Sequence, residues 1–550
     1  GAGIAVVGTL NINILPSSAP LIAHNVIVRN TAWQNGGGIG SWGHASPVIA
    51  YNYIAANTAT RFETGWDSDS PAGAWLVGGG GVFSTKNDMG GQPIQYAIAA
   101  PAIINNMIVA NGAWLGGGIS LVAYPYEQGI PPDKNPPPLV TNNTIVANNG
   151  AGIFWQSNFP KVRNNIVAFN TWGLEQDAVG LSYPVMEYND VYGNVLQDKA
   201  SNYKGIADQT GIGGNISADP LLANYRVGDL HIQANSPCRD AGTAAAVEPG
   251  WTDFDGQSRT LGALPDIGAD ESDGTTWNVA GAIIRVKPDG NDAQDGLAWA
   301  TAKKTLAAGI FAAAAQGGEV WVKAGTYAEH ITIPAFVYMY GGFAGTETSR
   351  TQRNVSANAS VIDGGGVGNP SVVQSVNAGY LVSALDGFTV QNGGVYTGGA
   401  VPQATVGEEG RGAGIRSAVT SLYITNNVVR WNSLGNPFNT KRAHGGGVHG
   451  YLSHSIIAGN TVTENELLNT IDGVGGGMYF KLSMPTIFNN RITQNRAEYG
   501  SAIYCILSNP KIARNVIDNN AMYDTYPLPL YMGSEEGAVT LDMGDGFLIE

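Results

Sequence analysis

Short apolar segments alternate with fixed proline and asparagine positions along much of this chain. Residues 47–57 read Pro-Val-Ile-Ala-Tyr-Asn-Tyr-Ile-Ala-Ala-Asn, so Pro47, Asn52 and Asn57 are five residues apart. Each copy of the pattern predicts a strand, a corner and a second strand. Seven copies have all three anchors and two keep only the asparagine pair. The first asparagines of the nine copies are Asn25, Asn52, Asn106, Asn143, Asn165, Asn427, Asn460, Asn490 and Asn515.

A glycine cluster followed by a β-branched residue or Met precedes most of these copies and predicts another corner and strand. The clusters start at Gly36, Gly79, Gly116, Gly445 and Gly475. The closest copies, at Asn143 and Asn165, are 22 residues apart, which is the length of one coil of a parallel β-helix. We expect the asparagines to adopt the left-handed backbone conformation at corners and to form hydrogen-bonded ladders along the axis. Longer spacings indicate loops inserted at corners, such as 60–78 and 124–137.

The composition agrees with a turn-rich β architecture. The 550 residues include 76 Gly, and only 13% are charged, which disfavours long helices, collagen and disorder. The chain has 28 Lys and Arg against 43 Asp and Glu, so we expect no nucleic-acid partner. It has no apolar run long enough to predict a transmembrane segment. Its two cysteines are predicted to be isolated core residues.

Residues 211–272 carry a different set of motifs. They include Asp219-Pro220-Leu221, the segment from Ser236 to Gly242, the segment from Asp253 to Arg259, and Asp266-Ile-Gly-Ala-Asp-Glu271. This run resembles the C-terminal module of the choice-of-anchor Q group of bacterial secreted β-helix proteins, which implies a terminal capping module. Asp253 and Asp255 have two interpretations: they bind Ca²⁺, or they pair with Arg239 and Arg259 over the end of the core. We expect no other cofactor.

Sequence elements typical of the beginning of a second solenoid follow this module. A strand near 283 precedes a predicted helix over 301–315, with Leu306 and Ile310 on one face and Thr301 as N-cap. The segments 319–327 and 340–343 then complete a block that resembles the N-terminal cap and first coils of pectate-lyase-like proteins. This resemblance implies a right-handed parallel β-helix.

The predicted fold is therefore all-β: two half-solenoids in tandem with one short capping helix. The predicted domains are coils over 1–210, a capping module over 211–272, a linker over 273–282, a cap with first coils over 283–345, and further coils over 346–550. The end of one β-helix thus precedes the beginning of another. We expect one period of a continuous array, or subunits that stack head to tail through exposed coil edges. An arbitrary fragment boundary is the alternative.

Catalysis on a polysaccharide would need a base with a neutralising cation, or two carboxylates across a groove. The best cluster is Lys441, Arg442, His444 and His449, with Glu464 one coil later. The alternative interpretation of this cluster is a solvated loop edge with ordinary charges. A second group, comprising Glu63, Trp66, Asp67 and Asp69, is either a sugar or Ca²⁺ ligand set or a plain surface loop.

We expect a structural or surface-interaction protein, extracellular or at the cell surface, which associates with itself and forms filaments. The first alternative is a carbohydrate-active enzyme, either a polysaccharide lyase or a glycoside hydrolase. The second is a carbohydrate-binding adhesin. Its predicted exposed tryptophans are Trp33, Trp42, Trp66, Trp114 and Trp431.

Overall fold

The structure is a computed structural model in which two compact units are described, one ending at Val279 and the other beginning at Ala280. The described residues are 3–7, 19–32, 35–43, 45–59, 78–85, 100–122, 136–156, 158–177, 184–197, 199–366, 371–394, 412–435, 443–468, 473–522 and 530–533.

The first unit is built on three parallel sheets, in which neighbouring strands come from successive coils. Its first sheet contains Ile4–Val7, Ile39–Trp42, Val82–Thr85, Ile119–Val122, Ala151–Gln156, Trp172–Gln176 and Tyr203–Lys204. The second contains Leu21–Ala23, Val48–Ala50, Ala102–Ile104, Leu139–Thr141, Lys161–Arg163 and Val185–Glu187. The third contains Val26–Val28, Tyr53–Ala55, Met107–Val109, Thr144–Val146, Ile166–Ala168 and Asp190–Tyr192.

Shorter elements complete the first unit. A parallel pair joins Thr31–Ala32 to Thr58–Ala59. Two antiparallel pairs join Val195–Leu196 to Lys199–Ala200, and Leu222–Asn224 to Asp229–Ile232. Short 3₁₀ helices cover Tyr225–Val227 and Ala244–Ala246.

The second unit repeats the architecture with parallel sheets. The largest contains Ala282–Val286, Gly318–Lys323, Ile331–Thr332, Val337–Phe343, Val373–Asp386, Ile415–Thr425, Val448–Tyr451, Ile456–Ala458, Met478–Lys481, Thr486–Phe488, Ile503–Ile506, Lys511–Ala513 and Leu530–Gly533. The next contains Gly325–Tyr327, Ser360–Asp363, Phe388–Gln391, Val428–Arg430, Thr461–Thr463, Arg491–Thr493 and Val516–Asp518. The last contains Ser433–Gly435, Glu466–Leu468, Arg496–Ala497 and Ala521–Met522. The prediction of a parallel β-helix is confirmed.

Each unit encloses a thin core of stacked apolar side chains. In the first unit Ile49 lies beside Ile103, which lies beside Val140 on the next coil, and all three are fully buried. Fully burying a side chain of this size contributes about 1.5–3 kcal/mol. The repeated Ile and Val positions are therefore the main source of stability within each coil stack.

The asparagine ladders are confirmed, and all nine predicted first asparagines belong to them. Asn106 shows the pattern: its backbone N–H and its Nδ2 both donate to Oδ1 of Asn143, at 2.9 and 3.0 Å. Its Oδ1 accepts the equivalent pair of bonds from Asn52. The ladder is therefore directional, because each asparagine donates to the next coil and accepts from the previous one.

The expectation that these asparagines take the left-handed conformation is wrong. The left-handed residue is the one before each ladder position, such as Tyr51 (φ 57°), Asn105 (φ 53°) and Asn142 (φ 55°). The corner bends at that residue, which leaves the next residue free to point its amide inward. The left-handed turn and the ladder hydrogen bonds are thus provided by two adjacent residues rather than by one asparagine.

The ladder also extends through a copy that the sequence analysis missed. Asn165 donates to Asn189, and Asn189 donates to Asn215. The missed copy is complete, since Pro184, Asn189 and Asn194 keep the five-residue spacing.

Glycine is required at the corners that precede the first-sheet strands. Gly79 has φ 66°, in the left-handed region. A Cβ atom on Gly81 would lie 2.7 Å from the carbonyl oxygen of Gly118 on the next coil. The clusters therefore provide both a left-handed turn and room for close contact between coils.

One α-helix, Leu306–Ala314, lies in the described part of the chain, and Leu306 and Ile310 are buried as predicted. The predicted N-cap is wrong: the side chain of Thr305, not Thr301, accepts the bond from the N–H of Ala308. Thr301 instead donates to Asp295 in the preceding turn. Within the described residues, no helix has both the length and the apolar character needed to cross a membrane.

Candidate functional site

The predicted catalytic histidines meet on one aromatic ring. His449 lies in strand Val448–Tyr451, and its register partner on the next coil is Tyr479. The His444 and His449 rings both stack on Tyr479, with ring centroids 4.6 and 5.1 Å away, and Tyr504 stacks on the far side at 5.7 Å. His449 is fully buried in this column. The stacked rings therefore pack against one another along one side of the coils.

Glu464 lies elsewhere, at the left-handed corner that precedes ladder residue Asn465. Its Oε2 accepts a hydrogen bond from Nε1 of Trp431, which occupies the same corner one coil earlier. The guanidinium of Arg430 lies 3.9 Å from the centroid of the Trp431 ring. The predicted catalytic residues are therefore separated, with His449 in a strand and Glu464 at a corner. The remaining members, Lys441 and Arg442, and the predicted ligand group Glu63, Trp66, Asp67 and Asp69 lie outside the described residues.

The predicted exposed tryptophans have different environments. Trp431 is exposed, whereas Trp114 is half-buried. Trp42 is buried, because its ring packs near Phe83 and over Gly40; the expectation of exposure is wrong for this residue. Trp33, like Trp66, lies outside the described residues.

In the predicted capping module, residues 211–272, Asp253 shapes a turn. Its Oδ1 accepts from the N–H groups of Asp255 and Gln257, and its Oδ2 accepts from the N–H of Glu271. These three bonds fix the loop that carries Asp255. The side chain of Asp255 points instead to His231, with 2.9 Å between Oδ2 and Nε2.

The predicted pairing of Asp253 and Asp255 with Arg239 and Arg259 is wrong, because both arginines have other acidic partners. Arg259 is buried and pairs with Glu271, with 3.1 Å between Nη2 and Oε1. It also donates to the carbonyl of Asp266 at 2.8 Å. Arg239 is exposed to solvent and lies 4.0 Å from Asp240. The arginine that holds the module together is therefore Arg259, through a glutamate that the sequence analysis did not select.

A histidine that the sequence analysis did not select, His231, is the centre of a polar cluster in the module. His231 Nδ1 lies 2.7 Å from Oδ1 of Asp229, and Trp277 stacks on the imidazole with 4.3 Å between ring centroids. Burial lowers the pKa of His231, but hydrogen bonds to Asp229 and Asp255 outweigh this effect and raise the pKa to about 10. The available signal was the Asp229-x-His231 spacing, which places both side chains on one face of a strand.

Asp190 is a buried acid where the module contacts the last coils. The N–H of Ala218 donates to its Oδ1 at 3.1 Å, and the thiol of Cys238 donates to its Oδ2 at 3.2 Å. Burial raises the pKa of Asp190 to about 7, and these two hydrogen bonds only partly oppose the effect. Burial also raises the pKa of the Cys238 thiol, so this donor stays protonated.

Asp190 predicts a pH-dependent stability. Between its ordinary pKa of about 4 and its folded pKa of about 7, the unfolded chain has lost a proton that the folded chain retains. The free energy of unfolding should therefore fall as pH rises through this window and level off above it, by at most about 4 kcal/mol. Asp190→Asn should remove this part of the slope in urea unfolding at pH 4.5, 6 and 7.5. Glu248→Gln, an exposed change that is not among the charges acting on Asp190, should retain it; an unchanged slope in Asp190→Asn would contradict the assignment.

Comparison with solved structures found a match to a polysaccharide lyase. The structure of a PL6 family alginate lyase, AlyGC, matches with a TM-score of 0.24 and 12% sequence identity, covering 97% of this chain and 79% of that one. No family model and no curated protein matches.

Proposed function

We propose that the protein is an extracellular structural or surface-interaction β-helix whose copies assemble head to tail through their outermost described coils. The observation that carries this proposal is the complementarity of the asparagine ladders. At the first coil, Oδ1 of Asn25 and Oδ1 of Asn30 accept no bond from the described residues. At the last, the backbone N–H groups of Asn515 and Asn520 have no acceptor among them.

The two coils also have matching geometry. Pro20, Asn25 and Asn30 have the same five-residue spacing as Pro510, Asn515 and Asn520. Strand Val26–Val28 pairs on one side only in the described structure, and so does strand Val516–Asp518. A second copy can therefore continue the parallel register, with the Asn515 N–H donating to Oδ1 of Asn25.

Exposed apolar side chains on these coils support the same contact. Val26 is 74% exposed and Val516 is 50% exposed, and unpaired strand edges with apolar residues are features that proteins ordinarily cover. In the continued register the two valines lie side by side. Because the contact joins two different surfaces of the chain, each copy leaves one such surface open for the next, and repetition of the contact extends the assembly into a filament.

A paired cysteine substitution tests this register. Adjacent strands are about 4.8 Å apart, which lies within the Cα separation of disulfides. Cys238 and Cys505 are buried and free, so they do not compete. Mild oxidation of the full chain carrying Val26→Cys and Val516→Cys should give a ladder of covalent multimers on non-reducing gels, together with fibres by negative-stain microscopy.

The single variants provide the matched control. Val26→Cys alone and Val516→Cys alone have no register partner, so each should remain largely monomeric on the gel. A double variant that stays monomeric after oxidation, or that forms only dimers, would contradict the head-to-tail contact. Sedimentation of the unmodified chain over a range of concentrations then gives the strength of assembly independently of the cross-link.

A carbohydrate-binding or carbohydrate-active role is the second candidate. The observation in its favour is Trp431, exposed beside Glu464, because an aromatic face with an adjacent carboxylate suits a sugar ring. Reducing-end and 235-nm absorbance assays on a panel of polysaccharides would detect hydrolysis and lyase action. Turnover by compact monomers, lost in Trp431→Ala, would replace the structural proposal.

A further inference from the structure

Three side chains of the capping module converge on one small volume. They come from separate segments: His231 from strand Asp229–Ile232, Asp255 from the turn built by Asp253, and Asp270 from the segment after Ile267. One imidazole nitrogen and one oxygen from each carboxylate lie within 4.8 Å of one another. With small side-chain adjustments a single ion can contact all three groups, taking the place of the Nε2 proton that His231 shares with Asp255.

The imidazole is held in a fixed orientation. Asp229 is at its Nδ1, and the Trp277 ring lies on its face at an interplanar angle of 20°. Gln233 holds Trp277 in place, since its Oε1 accepts from the Trp277 N–H and its Nε2 donates to the Trp277 carbonyl. A carboxylate on one ring nitrogen is the usual second-shell partner of a histidine whose other nitrogen binds a metal.

Asp270 is buried and has one carboxylate oxygen available to a ligand. It is 4% exposed, and its Oδ2 accepts one hydrogen bond, from the N–H of Ile232 at 2.8 Å. Its Oδ1 accepts no hydrogen bond within the described structure. A carboxylate oxygen with no hydrogen-bond donor beside it is available to coordinate a cation.

We propose that His231 Nε2, Asp255 and Asp270 form a site for one divalent transition-metal cation with zinc-like ligand preference. One imidazole and two carboxylates, with water in the remaining position, suit tetrahedral zinc coordination. Calcium prefers six to eight oxygen ligands, and the oxygens of Asp253 are already occupied by three backbone donors. The site is independent of the proposed assembly contact.

The direct test is calorimetric titration of the metal-stripped full chain with Zn²⁺ and, separately, with Ca²⁺. The expected result is one equivalent of Zn²⁺ bound, with a rise in the thermal unfolding midpoint. Asp255→Asn, Asp270→Asn and His231→Gln should each weaken binding by at least about 100-fold, and Asp229→Asn by about 10–100-fold. Glu248→Gln, an exposed change in the same module, should bind as the unmodified chain does.

Asp255→Asn keeps the test independent of folding, because this side chain lies on the exposed end of its turn. Circular dichroism of each metal-free variant should match the unmodified chain. The proposal is overturned by an absence of saturable Zn²⁺ binding, or by binding that survives both Asp255→Asn and Asp270→Asn. Binding of Ca²⁺ alone, or Zn²⁺ binding unchanged in His231→Gln, would also overturn it.

Discussion

Asn106→Ala is expected to destabilise the first unit by about 2–4 kcal/mol, because a buried N–H left without an acceptor costs about 1–3 kcal/mol and the other lost amide hydrogen bonds add about 1 kcal/mol. The substitution leaves the backbone N–H of Asn52 without its acceptor, whereas Asn52 Nδ2 loses one bond and keeps those to the carbonyls of Ile22 and Ala50. It also removes the Nδ2 donor that serves the carbonyls of Ile49 and Ile104, at 2.8 and 3.0 Å. All of these groups lie inside the coil stack, where water cannot replace them.

The adjacent residue provides a matched control. Asn105 is equally buried, but its Nδ2 and Oδ1 make no hydrogen bond, and its φ of 53° favours glycine. Asn105→Gly should therefore change the free energy of unfolding by less than about 1 kcal/mol. Urea unfolding would measure both variants, and hydrogen exchange would show faster exchange of the Asn52 amide in Asn106→Ala alone. Equal losses at the two positions would contradict the ladder as the source of stability.

The coil architecture could be predicted because its physical constraints repeat. Every ladder asparagine must meet the same neighbour on the next coil, so Asn143, Asn165 and even the missed Asn189 keep one spacing from their prolines. The same rule shows why Glu464 was misplaced. As the residue before ladder position Asn465, it belongs to the left-handed corner, and a strand histidine such as His449 belongs to a different side of the coil.

The polar cluster could not be predicted in the same way, because nothing periodic connects its members. His231 lies in a short strand, whereas Asp255, Asp270 and Trp277 come from irregular segments, and their approach to it depends on turns held by side chains such as Asp253. The position of the helix N-cap likewise depends on tertiary contacts. Glu329 accepts from the N–H groups of Leu306 and Ala307, which places the helix start at Thr305.

The buried ion pair of the capping module should show the second large effect. The Arg259 and Glu271 side chains are each 1% exposed, and Arg259 Nη2 also binds the Asp266 carbonyl. Arg259→Met leaves the Glu271 carboxylate buried without its cation, and breaking such a pair costs about 3–5 kcal/mol. Arg239→Met, on an arginine 38% exposed beside Asp240, should cost no more than about 1 kcal/mol.

A double substitution separates the pair from the packing around it. Removing the charge of Glu271 as well, in Arg259→Met with Glu271→Gln, eliminates the unpaired carboxylate while keeping an acceptor for the Asp266 N–H, which now donates to Oε1 at 2.8 Å. The double variant should therefore be more stable than Arg259→Met alone, with a coupling free energy of about 1–3 kcal/mol by urea unfolding. Additive losses would show that Arg259 acts through its contact with the Asp266 carbonyl and its packing. If the charge pair between Arg259 and Glu271 stabilises the module, the double variant must show this coupling free energy.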